Sequence, residues 1–124
     1  MRKLNILLAE DDEMIRKITT FFLKRNGHEV DIAKNGSEAV RSFKAKEYDV
    51  ILMDIQMPEM DGLEAVKQIR MIEQEYLAKN HTTIIAVTTN SNKAECLNAG
   101  MDAYAQKPYS FDDLSTLFRA YNLV

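Results

Sequence analysis

The chain has 124 residues, a formal net charge of −3 and one cysteine, Cys96. That length suits one compact domain, able to bury roughly two thirds of its unfolded surface without staples. The acidic balance argues against non-specific nucleic-acid binding, which needs a basic face, the lone thiol against an internal disulfide or multi-cysteine metal site, and the apolar runs are all far short of the ~20 residues of a membrane span.

The opening MRKLNILLAEDD is basic, then apolar, but its apolar part (6–9) is too short for a signal peptide and runs into acids. It reads instead as a first strand, Leu4–Ala9. Residues 12–26 follow with Met14, Ile15, Ile18, Phe21, Phe22 and Leu23 near helical spacing, closed by Gly27. A second strand, Val30–Ala33, leads through the turn and cap Asn35-Gly36-Ser37 to a helix over 37–46, with Ala39, Val40 and Phe43 repeating the spacing. The third strand, Val50–Met53, stops on Asp54, and Pro58 and Asp61-Gly62 then shape a loop. Leu63, Val66, Ile69, Ile72 and Tyr76 predict a helix over 62–77. A fourth strand, Ile84–Thr88, a short helix over 92–99, a fifth strand, Ala103–Gln106, and a helix over 111–121 complete the chain. Phe111, Leu114, Leu117, Phe118 and Tyr121 share one face of that last helix.

Five strand–helix units in alternation predict a doubly wound α/β fold, a parallel sheet covered on both faces. The continuous Val/Ile/Leu strands fit burial on both sides. In such sheets ligands bind at the carboxyl ends of the strands. Those ends carry Glu10, Asp11 and Asp12 after the first strand, Asp54 after the third, Thr88 and Thr89 after the fourth, and Lys107-Pro108 after the fifth.

Carboxylates gathered at one rim repel and raise one another's pKa. A divalent cation removes that conflict, and magnesium suits a site with few carboxylates, several waters and a phosphate oxygen. One of Asp11 and Asp12 also serves as the helix N-cap. A strand-end carboxylate can act as a nucleophile toward phosphorus, giving an aspartyl phosphate. Lys107 would then supply a mobile cation and Thr88 a hydroxyl for the transferred charge. His28 and His81 fall in predicted loops and read as solvated, and Cys96 as a small packed residue. Met57 and Met60 are placed to line the acceptor pocket.

The segments ILLAEDDEM (6–14), MDIQMPEMDGLEA (53–65), IIAVTTN (84–90) and CLNAGMDAYAQKPYS (96–110) resemble the receiver domains of bacterial two-component response regulators, chemotaxis-regulator-like, over the whole chain. The middle and late motifs are most similar to receivers of hybrid histidine kinases. The resemblance implies a flavodoxin-like fold with strand order 2-1-3-4-5. It makes Asp54 the phosphoacceptor for a histidine kinase or histidine phosphotransfer protein. It implies Mg2+, with Mn2+ as a substitute, held by Glu10 (through water), Asp11, Asp54 and the carbonyl of Gln56. Lys107 and Thr88 would bind phosphoryl oxygens, Tyr104 would be the aromatic switch, and Gln56 and Asn90 would tune the lifetime of the phosphate. The implied protein is a cytoplasmic signalling switch of one domain (1–124), with no output domain, reading out through an unknown downstream protein, and not a turnover enzyme.

One departure concerns the stretch from Thr88 to Gly100, about three residues shorter than usual, close to one helical turn. The helix there is expected to be short and the output surface atypical. Two rival readings use the same scaffold. A phosphohydrolase of the haloacid-dehalogenase type needs a general acid two residues after its nucleophile, and Gln56 stands there. A phosphorylation-independent docking domain would not need the full set Glu10, Asp11, Asp54, Thr88 and Lys107.

Overall fold

The computed structural model describes residues 2–75, 81–89 and 93–124. In chain order the elements are β1 (Asn5–Ala9), α1 (Glu13–Arg25), β2 (Glu29–Ala33), α2 (Gly36–Ala45), β3 (Val50–Asp54), α3 (Gly62–Glu75), β4 (Thr83–Thr88), α4 (Lys93–Ala99), β5 (Ala103–Gln106) and α5 (Phe111–Ala120). The strands form one parallel sheet in the order β2-β1-β3-β4-β5, as expected.

Alternate strand residues divide the core into two halves. Leu7, Ile51, Met53, Ile84 and Ala86 pack with Ala39 and Val40 of α2, Val66 and Ile69 of α3 and Cys96 of α4. Ile6, Leu8, Val50, Leu52, Ile85 and Val87 pack with Leu23 of α1 and Leu114 and Phe118 of α5. A sheet buried on both faces needs no polar alternation, which is why these strands read as unbroken apolar runs.

Register sets the site. Ala9 lies beside Met53, Asp54 beside Val87, and Thr88 beside Gln106. Glu10, Asp54, Thr88 and Lys107 therefore leave the sheet along one rim. At the opposite end, Arg70 of α3 donates to the carbonyls of Gly100 (2.9 Å) and Thr82 (2.8 Å) and to Asp102 Oδ2 (2.7 Å). That fork ties α3 to the start of β4 and to the turn after α4. Helix α4 has seven residues, and Gly100 follows it at φ +115°, a conformation that favours glycine. The expectation of a shortened helix also covers residues 90–92, which lie outside the described residues. So do Tyr76 and Leu77, placed in the third helix from sequence.

The apolar residues of α1 do not share one inward face: Leu23 is buried, whereas Met14, Ile18 and Phe21 are 71%, 57% and 65% exposed. The inner face is completed by Thr19, which is buried. His28 is buried rather than solvated. Its Nδ1 accepts the Leu4 N–H at 3.1 Å, and its ring meets Phe118 edge-on at 5.9 Å. His81 is exposed, as expected, and its Nε2 lies 2.7 Å from Asp102 Oδ1.

Burial holds the His28 pKa below its ordinary value. The neutral ring therefore contributes stability that is present above the unfolded pKa and lost as pH falls through the folded one. His28→Gln, which keeps an acceptor but cannot titrate, is expected to flatten the loss of urea resistance between pH 7 and pH 5. An unchanged slope would show that another group carries it.

Candidate functional site

β3 ends on Asp54, whose residue is only 3% exposed. The start of α3 closes over its backbone: Gly62 N–H donates to the Ile55 carbonyl at 2.9 Å, and a Cβ at Gly62 would overlap the Asp54 carbonyl oxygen. Only glycine permits that approach. The Gln56 N–H donates to Asp54 Oδ1 at 3.2 Å, which fixes one carboxylate oxygen from the loop.

Glu10 continues from β1, fully buried, with its N–H bonded to the Ala33 carbonyl at 3.0 Å. Its Oε2 accepts the Asp12 N–H at 3.2 Å. Asp12 is the N-cap of α1, accepting from the Ile15 N–H at 3.0 Å, so Asp11, exposed, is left to face the rim. Arg16, one turn into α1, donates from Nη1 to the carbonyls of Glu10 (3.1 Å) and Asp11 (3.3 Å). It holds the acidic turn by its backbone and leaves the carboxylates unspent.

Carboxylate oxygens of Glu10, Asp11 and Asp54 lie within 4.8 Å of one another. Lys107 reaches in from the end of β5. Its Nζ lies 2.7 Å from Glu10 Oε1 and 3.2 Å from Asp54 Oδ2. One cation cannot balance three acids. Burial, then the adjacent Glu10, pushes the Asp54 carboxyl up to about 7, against the opposing pull of Lys107. Burial also works against the Lys107 charge, but Glu10 and Asp54 outweigh it and hold the ammonium above its ordinary pKa.

The fully buried Glu10 Oε1 is paired with the Lys107 ammonium, which it shares with Asp54, so the cluster is short of positive charge rather than of donors. A small hard cation seated among the three carboxylates supplies the missing charge. The oxygen-only donor set with few carboxylates fits magnesium rather than a soft metal.

Thr88 is buried at the end of β4, and its carbonyl accepts the Lys107 N–H at 2.9 Å. Tyr104 of β5 packs against the core half under α2–α4, and its buried hydroxyl has no hydrogen-bond partner among the described residues. Met57 and Met60 sit on that same half. The rim therefore brings together Glu10, Asp11, Asp54, Gln56, Thr88 and Lys107. Asn90 lies outside the described residues.

Sequence reasoning missed three features: Arg16 behind the acids, the outward apolar stripe of α1, and a bond between Thr19 and Tyr109. The Thr19 Oγ1 lies 2.8 Å from the Tyr109 hydroxyl. A helical arginine one turn after an acidic run is a weak signal, and the other two are set by tertiary packing.

The response regulator receiver domain profile matches residues 6–119, and the chain belongs to that family. It is 44% identical over 119 residues, 88% of this chain, to hybrid signal transduction histidine kinase B of Dictyostelium discoideum. It is 36% identical, over 95% of its length, to the aerobic respiration control sensor protein ArcB of Escherichia coli. The chain spans 6% and 15% of those two relatives. Among solved structures it matches the receiver domain of the sensor kinase PA1611 of Pseudomonas aeruginosa, which has a magnesium ion in its active-site cleft. That match has a TM-score of 0.84 and 33% identity, covering 96% of this chain and 97% of the other. It also matches a chain of the Saccharomyces cerevisiae complex of the phosphotransfer protein Ypd1 with the receiver domain of Ssk1. Here the TM-score is 0.82 and the identity 35%, covering 91% and 84%. Among the described residues no helix is long and apolar enough to cross a membrane.

Proposed function

We propose that this chain is a phosphorylation switch in which Asp54 accepts a phosphoryl group from a phosphohistidine of a sensor kinase or phosphotransfer protein. The observation that carries the proposal is Asp54 itself: a buried strand-end carboxylate, clustered with Glu10 and Asp11 and touched by one lysine. An Asp54 carboxylate oxygen attacks phosphorus, the N–P bond of the donor breaks, and the leaving imidazole takes its proton from water. The Gln56 N–H orients the nucleophile, and Lys107, already 3.2 Å from Oδ2, is placed to follow the charge onto the phosphoryl oxygens.

Glu10, Asp11 and Asp54, with the Gln56 carbonyl, would hold the metal, Mg2+ or Mn2+. When bound, it neutralises the clustered carboxylates and draws charge from the phosphoryl group. Thr88 and Lys107 bind the new oxygens, and Tyr104, whose ring is already turned toward the core, responds to the shift of Thr88. Gln56 and Asn90 set the lifetime of the phosphate. With Gln56 where a hydrolase needs an acid, hydrolysis is slow, and the protein is a switch rather than a turnover enzyme. Its site of action is the cytoplasm, and its readout is a protein contact altered by the short α4.

The donor has to cover the rim to reach Asp54. Beside it, Met14, Ile18 and Phe21 form an exposed apolar stripe that runs down α1 from the acidic turn, and Ile32 of β2 adjoins it across a groove. A contiguous apolar face of this kind marks a contact surface. Phe21→Glu is expected to slow transfer from a phosphohistidine protein by tenfold or more, about 1.4 kcal/mol or above. Transfer from phosphoramidate, a small donor that needs no docking, should stay within twofold. Equal loss with both donors would place the effect in the fold, not in docking.

A further inference from the structure

We propose that Tyr109 is a positioning residue: its hydroxyl, joined to Thr19 of α1, fixes the loop that carries Lys107, so that the ammonium stands between Glu10 and Asp54. This rests on the role given above to Lys107.

A threonine on the inner face of a helix commonly satisfies its hydroxyl on its own preceding turn. Thr19, 2% exposed, instead meets the Tyr109 hydroxyl at 2.8 Å, across 90 positions of sequence. A buried hydroxyl without a partner is costly, so the two groups hold each other. The Tyr109 ring is already seated: Phe22 meets it edge-on at 6.4 Å, and Phe22 also meets Phe111 at 5.7 Å. Ring packing alone would keep the loop near α1. The hydroxyl adds direction and a defined distance.

Lys107 needs that help. Its ammonium is a compact charge on a flexible stem, yet it must stand 2.7 Å from one carboxylate and 3.2 Å from another. Its backbone is fixed on one side by Thr88, through the 2.9 Å bond to that carbonyl. On the other side Ser110 belongs to the cap of α5, its N–H bonded to Asp113. Tyr109 ties the middle of this loop to α1. Three residues before Thr19, Arg16 ties the same helix to the Glu10–Asp11 turn. One helix thus holds both the acidic and the cationic side of the site. A shift of the lysine by a fraction of an ångström is enough to weaken stabilisation of the transferring group.

Tyr109→Phe keeps the ring and deletes the hydroxyl. With phosphoramidate as donor and magnesium present, it is expected to slow phosphorylation of Asp54 about tenfold, the lower range for losing an outer partner of a site group. The Lys107 Nζ resonance of the metal-free protein should move, and thermal stability should change little. Thr19→Val should cost as much, Thr19→Ser should restore the rate, and the double variant should be no slower than either single one. In a Lys107→Ala background Tyr109→Phe should cost nothing further. The proposal is overturned if Tyr109→Phe leaves the rate and the Nζ resonance unchanged, or if its cost persists without Lys107. Should Lys107→Ala itself leave phosphorylation at the wild-type rate, the role of the lysine fails and this inference falls with it.

Discussion

Asp54→Asn is expected to abolish phosphoryl uptake and, in the absence of metal, to make the protein more stable. The two effects share one cause. Asp54 is buried beside fully buried Glu10, with Lys107 as their shared counter-charge. The folded chain resists ionising it, and its carboxyl is pushed up to about 7. A carboxylate with a raised folded pKa contributes stability that is present below the unfolded pKa and is lost as pH rises through the folded one. Asparagine copies the neutral acid and cannot titrate. The gain should therefore be greatest near pH 8, on the order of 2 kcal/mol, and should close as pH falls toward 4. Added magnesium should narrow it by stabilising the wild type and not the variant. Chemical denaturation at pH 8 and pH 5, with and without magnesium, measures each part. A less stable variant at pH 8 would show that the charge on Asp54 is already compensated.

Lys107→Ala should act in the opposite direction. It leaves Glu10, 0% exposed, and Asp54 facing each other without a cation. Removing one member of a buried pair costs about 3–5 kcal/mol. Here Lys107 itself is 11% exposed, and the two acids can share a proton. A loss of about 2 kcal/mol at pH 8 is expected, shrinking at lower pH and partly restored by magnesium. Phosphoryl uptake should fall about a hundredfold, the scale for losing one preorganised stabilising group. Because Lys107 draws the Asp54 pKa down, its removal should also move the rate profile to higher pH. Initial rates from phosphoramidate between pH 6 and pH 9 would reveal the shift, and an unmoved profile would remove Lys107 from the titration of Asp54.

The parts of this protein that were legible in its sequence are those that local chemistry decides. Val50–Met53 could only be a strand buried on both faces, and Asp54 at its end had to stand at the rim. The acids after β1, an N-cap from one of Asp11 and Asp12 and the stop at Gly27 follow from residue type and position. The faces of α1 were not legible, because Met14, Ile18 and Phe21 repeat with the same helical period as a core stripe. What distinguishes them is that no element among the described residues covers them, and nothing within the helix encodes that. His28 was misjudged for the same reason. Its burial goes with Phe118, far along the chain, and with the Leu4 N–H that its Nδ1 accepts. The bond between Thr19 and Tyr109 joins two elements that no periodicity connects.

The central claim is that one carboxylate, Asp54, takes phosphorus from histidine. The direct measurement is to incubate the protein and magnesium with a purified, histidine-phosphorylated phosphotransfer protein and to map the product by peptide mass. The account predicts one phosphoryl group, on the peptide that carries Asp54, and none on the Asp54→Asn variant. A phosphoryl group on another residue, or equal uptake by the variant, would contradict it.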